Sequence, residues 1–211
     1  MRMRHKPNLI PRLEKCADCI IQQPTELFGK WRATFPTFDA VHIELGCGKG
    51  RFTCETAKNG ANTLLIGVER VPDAAVVAAE RAMAAELGNV RFIINDVTLL
   101  PSVFAPGEVS RIYINFCDPW PGKKRAKRRL TGDGFLALYR GFLPQGGEIH
   151  FKTDNADLFE YSLERFAACG FELGEVTRDL HAAGVRGFMT DYEEKFHVQG
   201  VKINRCIARL L

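Results

Sequence analysis

The chain has 211 residues, 46% of them hydrophobic and 26% charged, with a formal net charge of +4. This is ordinary globular composition, long enough for one large domain with a sizeable core. No apolar run approaches the ~18–20 residues that span a bilayer, and the basic opening MRMRHKPNLIPRLEK has no apolar core after it, so neither a membrane span nor a secretory leader is expected. The seven cysteines are an odd number in a chain too long to need disulfides. Reduced thiols in a cytoplasmic protein are therefore expected. Cys16 and Cys19 form one CxxC, but no second pair or histidine stands at motif spacing, so no metal is expected.

Residues 1–38 carry Pro7, Pro11, Pro24 and Pro36 and the cations Arg2, Arg4, Lys6, Arg12 and Lys15. They read as a basic N-terminal arm with a short helix, packed on a domain of residues 39–211. AVHIEL (40–45) is the first predicted strand. Glycines in 46–50 turn the chain into a helix over 51–59. LLIGV (64–68) is the second strand. Pro72 opens a helix rich in strong helix formers, and Gly88 is expected to end it. VRFII (90–94) and RIYINF (111–116) are the third and fourth strands. A helix over 133–143 closes at Gly146-Gly147, and EIHFK (148–152) is the fifth strand. Asn155 caps a helix over 156–168, which Gly170 stops. FELGEV (171–176) and VKINRCIARL (201–210) complete seven strands, with no helix-length pattern between them. Alternating strands and helices predict an α/β fold: a Rossmann-like, doubly wound, mostly parallel sheet with an antiparallel strand at one edge.

IELGCGKG (43–50) is the most informative short motif. Gly46, Gly48 and Gly50 follow a strand and precede a helix, where glycine lets the backbone turn tightly against a ligand. The dinucleotide fingerprint would need glycine at 51, where this chain has Arg51, and no GK[ST] follows to make a P-loop. Glu44, just before the loop, would repel a pyrophosphate but could pair with an ammonium or sulfonium. Glu69 ends the second strand 23 residues after Gly46 and could accept both hydroxyls of a ribose. Asn95 and Asp96 end the third strand, where they could meet an adenine amino group, and Asp118 ends the fourth. Open α/β sheets bind ligands at the carboxyl ends of their strands. Four acids there, in register with GxGxG, suit a nucleoside that carries positive charge and no phosphates. S-adenosyl-L-methionine is such a ligand.

NFCDPWPGKKRAKRR (115–129) joins Asp118 to a Pro-Trp-Pro turn and then to a run in which six of seven residues, Lys123 to Arg129, are cationic. The run is read as holding RNA phosphates, which position a substrate without reading its sequence. Lys127, Arg128 and Arg129 are its core. Trp120 could stack on an unpaired base or plug the loop. His150 reads as a packed strand residue.

The stretches IELGCGKGRF, IGVER, INFCDPWP, KRRLT, FKTDNADLFEYS, DLH and TDYEEKF together resemble the bacterial tRNA (guanine-N7-)-methyltransferases, a branch of the class I S-adenosylmethionine-dependent methyltransferases. They run over about residues 28–200, in one order. The resemblance implies cofactor contacts at Glu44, Glu69, Asp96 and Asp118, with Asn95 as neighbour. It implies substrate contacts at Asp154 and at Thr190, Asp191, Tyr192 and Glu193, and makes Asp118 the catalytic residue. It implies methyl transfer to N7 of a guanosine in the tRNA variable loop, with tRNA and not DNA as partner. One departure stands out: the family's PWPKKRH is PWPGKKRA here, so a family lysine is Gly122, and Lys123 is its candidate substitute. His181, in DLH, belongs to the resemblance without an assigned role. Two rivals remain at this stage. One is an amino-methyltransferase acting on adenine or cytosine through a DPPY-like turn, against which Trp120 counts. The other is a non-catalytic RNA-binding protein on the same fold, against which the intact glycine loop and Glu69 count. Nothing in the sequence sets the oligomeric state.

Overall fold

A run such as TLLIGV has no polar face to offer water, so a strand made of it must be covered on both sides. The computed structural model, which describes residues 8–182 and 187–211, provides that cover. Its strands are β1 (Ala40–Leu45), β2 (Thr63–Val68), β3 (Val90–Ile93), β4 (Arg111–Asn115), β5 (Glu148–Thr153), β6 (Phe171–Thr177) and β7 (Asn204–Leu210). The helices are α1 (Leu9–Lys15), α2 (Trp31–Thr34), α3 (Arg51–Lys58), α4 (Pro72–Ala84), α5 (Asp133–Arg140), α6 (Ala156–Ala168) and α7 (Asp191–Val198). Arg2, Arg4, Lys6 and Pro7 of the basic arm lie outside the described residues.

The sheet order is β3-β2-β1-β4-β5-β7-β6. β1 to β5 are parallel, and β7 runs antiparallel to both β5 and β6, which makes it the reversed strand expected at that edge. The chain winds outward from β1 to β3 and then crosses to β4 on the other side of β1. The crevice between the carboxyl ends of β1 and β4 is therefore the switch point, where such sheets bind ligands. Ile43, Leu64, Ile66, Val68, Ile112, Ile114, Ile149 and Phe151 fill the core beneath it.

Residues before the sheet reach deeper than an arm laid on a surface. Trp31 is fully buried in the main core and its indole N–H donates to the Val103 carbonyl at 2.9 Å. Ile20 bridges to Phe92 beside β3, with its neighbour Ile21 donating to the Phe92 carbonyl at 2.9 Å.

Two local expectations need correction. α4 ends near Ala85, before Gly88: Glu86 takes the left-handed position (φ +52), its N–H bonds the Met83 carbonyl, and the Leu87 N–H bonds the Ala82 carbonyl. That is a Schellman closure with glutamate in the usual glycine place. The interval before β7 does hold a helix, α7. Thr190 caps it by accepting from the Glu193 N–H at 3.0 Å, with Asp191, Glu193 and Glu194 in its first turn. The Thr-x-x-Glu pattern that announces it is a capping-box signature.

Candidate active site

The chain leaves β1 and makes the glycine turn with Gly46, Gly48 and Gly50 all at positive φ. At Gly50 a side chain is excluded twice: φ is +71, and a Cβ would stand 2.6 Å from the Ala78 Cβ of α4. This glycine therefore lets α3 pack against α4, which aims the α3 N-terminus at the crevice. Glu69 braces the turn from β2, accepting from the Gly48 N–H at 3.0 Å and from the Val71 N–H at 2.8 Å.

Glu44 lies under the turn and is 2% exposed. It accepts from the Thr53 hydroxyl of α3 and, at 3.0 Å, from the Asn115 amide of β4. Both contacts are neutral. Burial pushes its carboxyl up to about 7, against the pull of those two bonds and of Lys152. The cation behind it is engaged elsewhere: Lys152, itself buried, pairs with Glu193 at 3.1 Å and donates to the Phe188 carbonyl at 3.1 Å. His181 approaches the other Glu193 oxygen at 3.4 Å. Sequence reading missed Thr53, Asn115 and Lys152. Their signal, a polar residue on the buried face of an apolar element, was present in each case.

The TDYE segment divides by side chain. Thr190 caps α7, and Asp191 pairs with Arg51 of α3 at 3.6 Å and with Arg81 of α4 at 3.8 Å. Tyr192 is 59% exposed, and Glu193 is only 1% exposed. Arg51 also pairs with Glu194, so α7 is pinned to the first turn after the glycine loop.

On the third strand the chain is looser. The Asn95 side chain, exposed, accepts from the Asp96 N–H at 2.8 Å. Asp96 uses Oδ1 to accept from the Thr98 N–H at 3.0 Å and the Thr98 hydroxyl at 2.8 Å, capping a 3-10 helix over Val97–Ser102. The Thr98 backbone bond holds its carboxyl below the usual range. Asn95 also borders an apolar cleft of about 490 Å³ made with α1 and the segment after it, which the glycine loop does not line.

β4 stops at Asn115, so Asp118 stands three residues beyond the strand, in a turn. Phe116 (φ +52) and Trp120 (φ +40) flank it in left-handed backbone, and Gly122 follows at φ +87. Such a conformation costs about 1–3 kcal/mol per non-glycine residue, and persists only where surroundings over-determine it. The Phe116 N–H is held by the Lys152 carbonyl at 2.9 Å. Arg129 donates from Nε to the Pro119 carbonyl at 2.9 Å and from Nη2 to the Trp120 carbonyl at 3.3 Å. The Arg128 guanidinium lies 4.9 Å from the Trp120 ring centre. Asp118 itself is exposed, with no hydrogen bond or ion pair to another described residue. Asp154, also exposed, sits between β5 and α6, on the next strand over.

Lys123–Arg128 form a 3-10 helix with Lys123, Lys124, Arg125, Lys127 and Arg128 exposed. Among the described residues no carboxylate pairs with Lys123, Lys124, Arg125 or Lys127. The structure thus brings Glu44, Glu69, Asp96 and Asp118 to four neighbouring strand ends and sets a cationic helix beside the fourth. It turns Glu193 and Arg129 inward.

A family model described as a putative methyltransferase matches residues 39–206. The tRNA (guanine-N(7)-)-methyltransferase of Halalkalibacterium halodurans is 46% identical over 210 residues, covering 99% of this chain and 96% of that one. The protein of the same name from Listeria monocytogenes is 43% identical over 210 residues, covering 99% of this chain and 98% of that one. Among solved structures, an antibiotic-related methyltransferase superposes with a TM-score of 0.64 at 22% identity, covering 86% of this chain and 92% of that one, a likeness of fold. The chain belongs to the tRNA (guanine-N(7)-)-methyltransferase family.

Proposed function

We propose that this chain transfers the methyl group of S-adenosyl-L-methionine to N7 of a guanosine in the variable loop of tRNA. Family membership carries the cofactor, the guanine nitrogen and tRNA; the variable loop and the residue roles are additions to it. The residues present fit the cofactor. Glu44 is a buried carboxylate whose contacts are a hydroxyl and an amide, so it can still receive a cation. Glu69 stands at the turn with an oxygen on each side for ribose hydroxyls, and Asn95 and Asp96 stand where an adenine edge would end. When bound, the cofactor supplies an electrophilic methyl on a sulfonium.

Guanine N7 has a free lone pair and needs no deprotonation before the N7–C bond forms and the S–C bond breaks. What the protein must supply is alignment, exclusion of water and compensation for the cationic ring that results. Asp118 does the last of these, or orients the base through its N1–H and 2-amino group. Asp154 extends the acidic wall, Asp191 meets the substrate from α7, where Arg51 and Arg81 hold it, and Tyr192 offers an exposed ring beside it. Thr190 and Glu193 act through α7, since one caps the helix and the other is buried on Lys152. The Lys123–Arg128 helix takes RNA phosphates, with Lys123 serving for the lysine that Gly122 replaces. Residues 39–211 form the methyltransferase unit, residues 1–38 pack on it as the N-terminal part, and the protein works in the cytoplasm on tRNA and not on DNA. A buried Glu44 whose direct partners are neutral, at a strand-end cluster of acids beside an exposed cationic helix, is the observation that carries this reading.

The test is incubation with unmodified tRNA and labelled methyl donor, followed by nucleoside mass analysis. N7-methylguanosine, mapped to the variable loop, is expected. Label on an adenine or cytosine amino group, or none on tRNA, would overturn the reading.

A further inference from the structure

We infer that Arg129 is a positioning residue that clamps the Asp118–Pro119–Trp120 turn, and that it does not serve as a phosphate contact despite closing the cationic run. Of the six cations in the run, five are exposed and Arg129 alone is half-buried. Two of its donors are spent inward, on the carbonyls of the two residues that follow Asp118. Its guanidinium lies 4.3 Å from the centre of the Tyr161 ring of α6. A planar fork that donates twice and stacks at once is a geometry that lysine cannot reproduce.

The clamp has a fixed base. The Gly132 N–H bonds the Arg129 carbonyl at 2.9 Å, and the buried Thr131 hydroxyl meets the Ser162 hydroxyl of α6 at 2.7 Å. Ser162 in turn donates to the Leu158 carbonyl. Space at this base is close, because a Cβ on Gly132 would lie 3.1 Å from the Arg129 carbonyl oxygen and 3.4 Å from the Tyr161 hydroxyl. α6 therefore sets where the guanidinium sits, and the guanidinium sets where the turn sits. The turn needs this, because Phe116 and Trp120 hold left-handed backbone on both sides of Asp118. Asp118 has no side-chain partner among the described residues, so its carboxylate is aimed by its backbone alone. The consequence for turnover rests on the reading of Asp118 given above, while the clamp itself does not.

Arg129→Lys and Arg129→Ala test it, with Lys127→Ala as the phosphate comparison. For both Arg129 variants kcat should fall at least about tenfold, since small misplacement of an aligned group costs rate. KM for tRNA should stay within about twofold, and the salt dependence of RNA binding should keep its slope. Lys127→Ala should instead lower that slope by about one and raise KM for tRNA. A raised KM and a reduced slope in Arg129→Lys, with kcat unchanged, would overturn the proposal. A second readout is independent of activity. The chain has two tryptophans, and Trp31 is fully buried, so acrylamide quenching reports on Trp120. Quenching should rise in both Arg129 variants while far-ultraviolet circular dichroism stays unchanged; unchanged quenching would overturn the clamp. Should Asp118→Asn keep full turnover, the reading of Asp118 fails, and the quenching result still decides the clamp.

Discussion

Two glutamates at opposite ends of the same sheet are pushed in opposite directions from the ordinary carboxylate range. Glu148 opens β5, at the amino end. Burial alone would raise its carboxyl, but Arg209 at 2.8 Å, His150 at 3.0 Å and Arg111 at 2.8 Å draw it down to about 2. Glu44, near the carboxyl end of β1, has a hydroxyl and an amide for company, and burial lifts it to about 7. Both are carboxylates on one sheet, and they differ in two respects: Glu44 is fully buried among neutral donors, whereas Glu148 is only partly buried and meets Arg111 and Arg209. The amino end is closed electrostatically and serves stability. The carboxyl end leaves its acid with neutral partners only, which on the proposed reading is where the positive charge of the cofactor would sit. Perturbed acids gather at functional sites for this reason.

Predictions follow from breaking each side of that contrast. Asp118→Asn should lower kcat by about 100-fold, the scale of a lost preorganised electrostatic group, while a direct titration shows cofactor affinity within a few-fold of wild type. Glu69→Ala removes the brace on the Gly48 and Val71 N–H groups together with the ribose acceptor. Charge-assisted bonds contribute about 1.5–3 kcal/mol each, so calorimetry should show S-adenosyl-L-methionine binding at least about tenfold weaker. Lys127→Ala combined with Arg128→Ala should cut the slope of log K against log salt by about two, read by filter binding of tRNA, with cofactor binding unaffected. Glu148→Gln sharpens the contrast from the other end: cofactor affinity should not move, and stability at pH 7 should fall by about 1 kcal/mol. That figure is kept small because Arg209 is half exposed and water screens it. The sign follows from the depressed carboxyl. The stabilisation is present above about 4.5 and is lost as pH falls toward about 2, so urea titrations of wild type and variant should converge in acid.

Much of this arrangement is legible from the residues alone. LLIGV declares a buried parallel strand because no polar face interrupts it, AVHIEL declares its partner through the apolar face Val41, Ile43 and Leu45 although His42 and Glu44 share the other, and GCGKG declares the turn because three left-handed positions need glycine. The strand-end acids follow from those two facts. What local pattern does not carry is pairing across the fold. Glu193 reads as a charged surface residue until β5 places Lys152 beneath it. Arg129 reads as one more cation until α6 places Tyr161 under it. α7 is hard to read from the residues because eight residues, half of them charged, offer a weak apolar stripe, although Thr190 and Glu193 spell its cap. Glu86 displaced Gly88 because a helix end is set by where its apolar face leaves the core, and glutamate tolerates that single left-handed step.

The claim that the carboxyl edge awaits a cation is tested most directly at Glu44. A carboxyl held at about 7 in the folded chain and about 4.5 unfolded binds an extra proton between those values, so its ionisation costs stability as pH rises through that window. A bound cation offsets that cost. The affinity for S-adenosyl-L-methionine, measured by calorimetry, should therefore rise about tenfold from pH 6 to pH 8 with proton release at the lower pH, and Glu44→Gln should abolish both. If S-adenosyl-L-homocysteine shows the same step, Glu44 answers the ammonium; if it does not, Glu44 answers the sulfonium. An affinity flat across that range in the wild type, or an unchanged step in Glu44→Gln, would contradict the account.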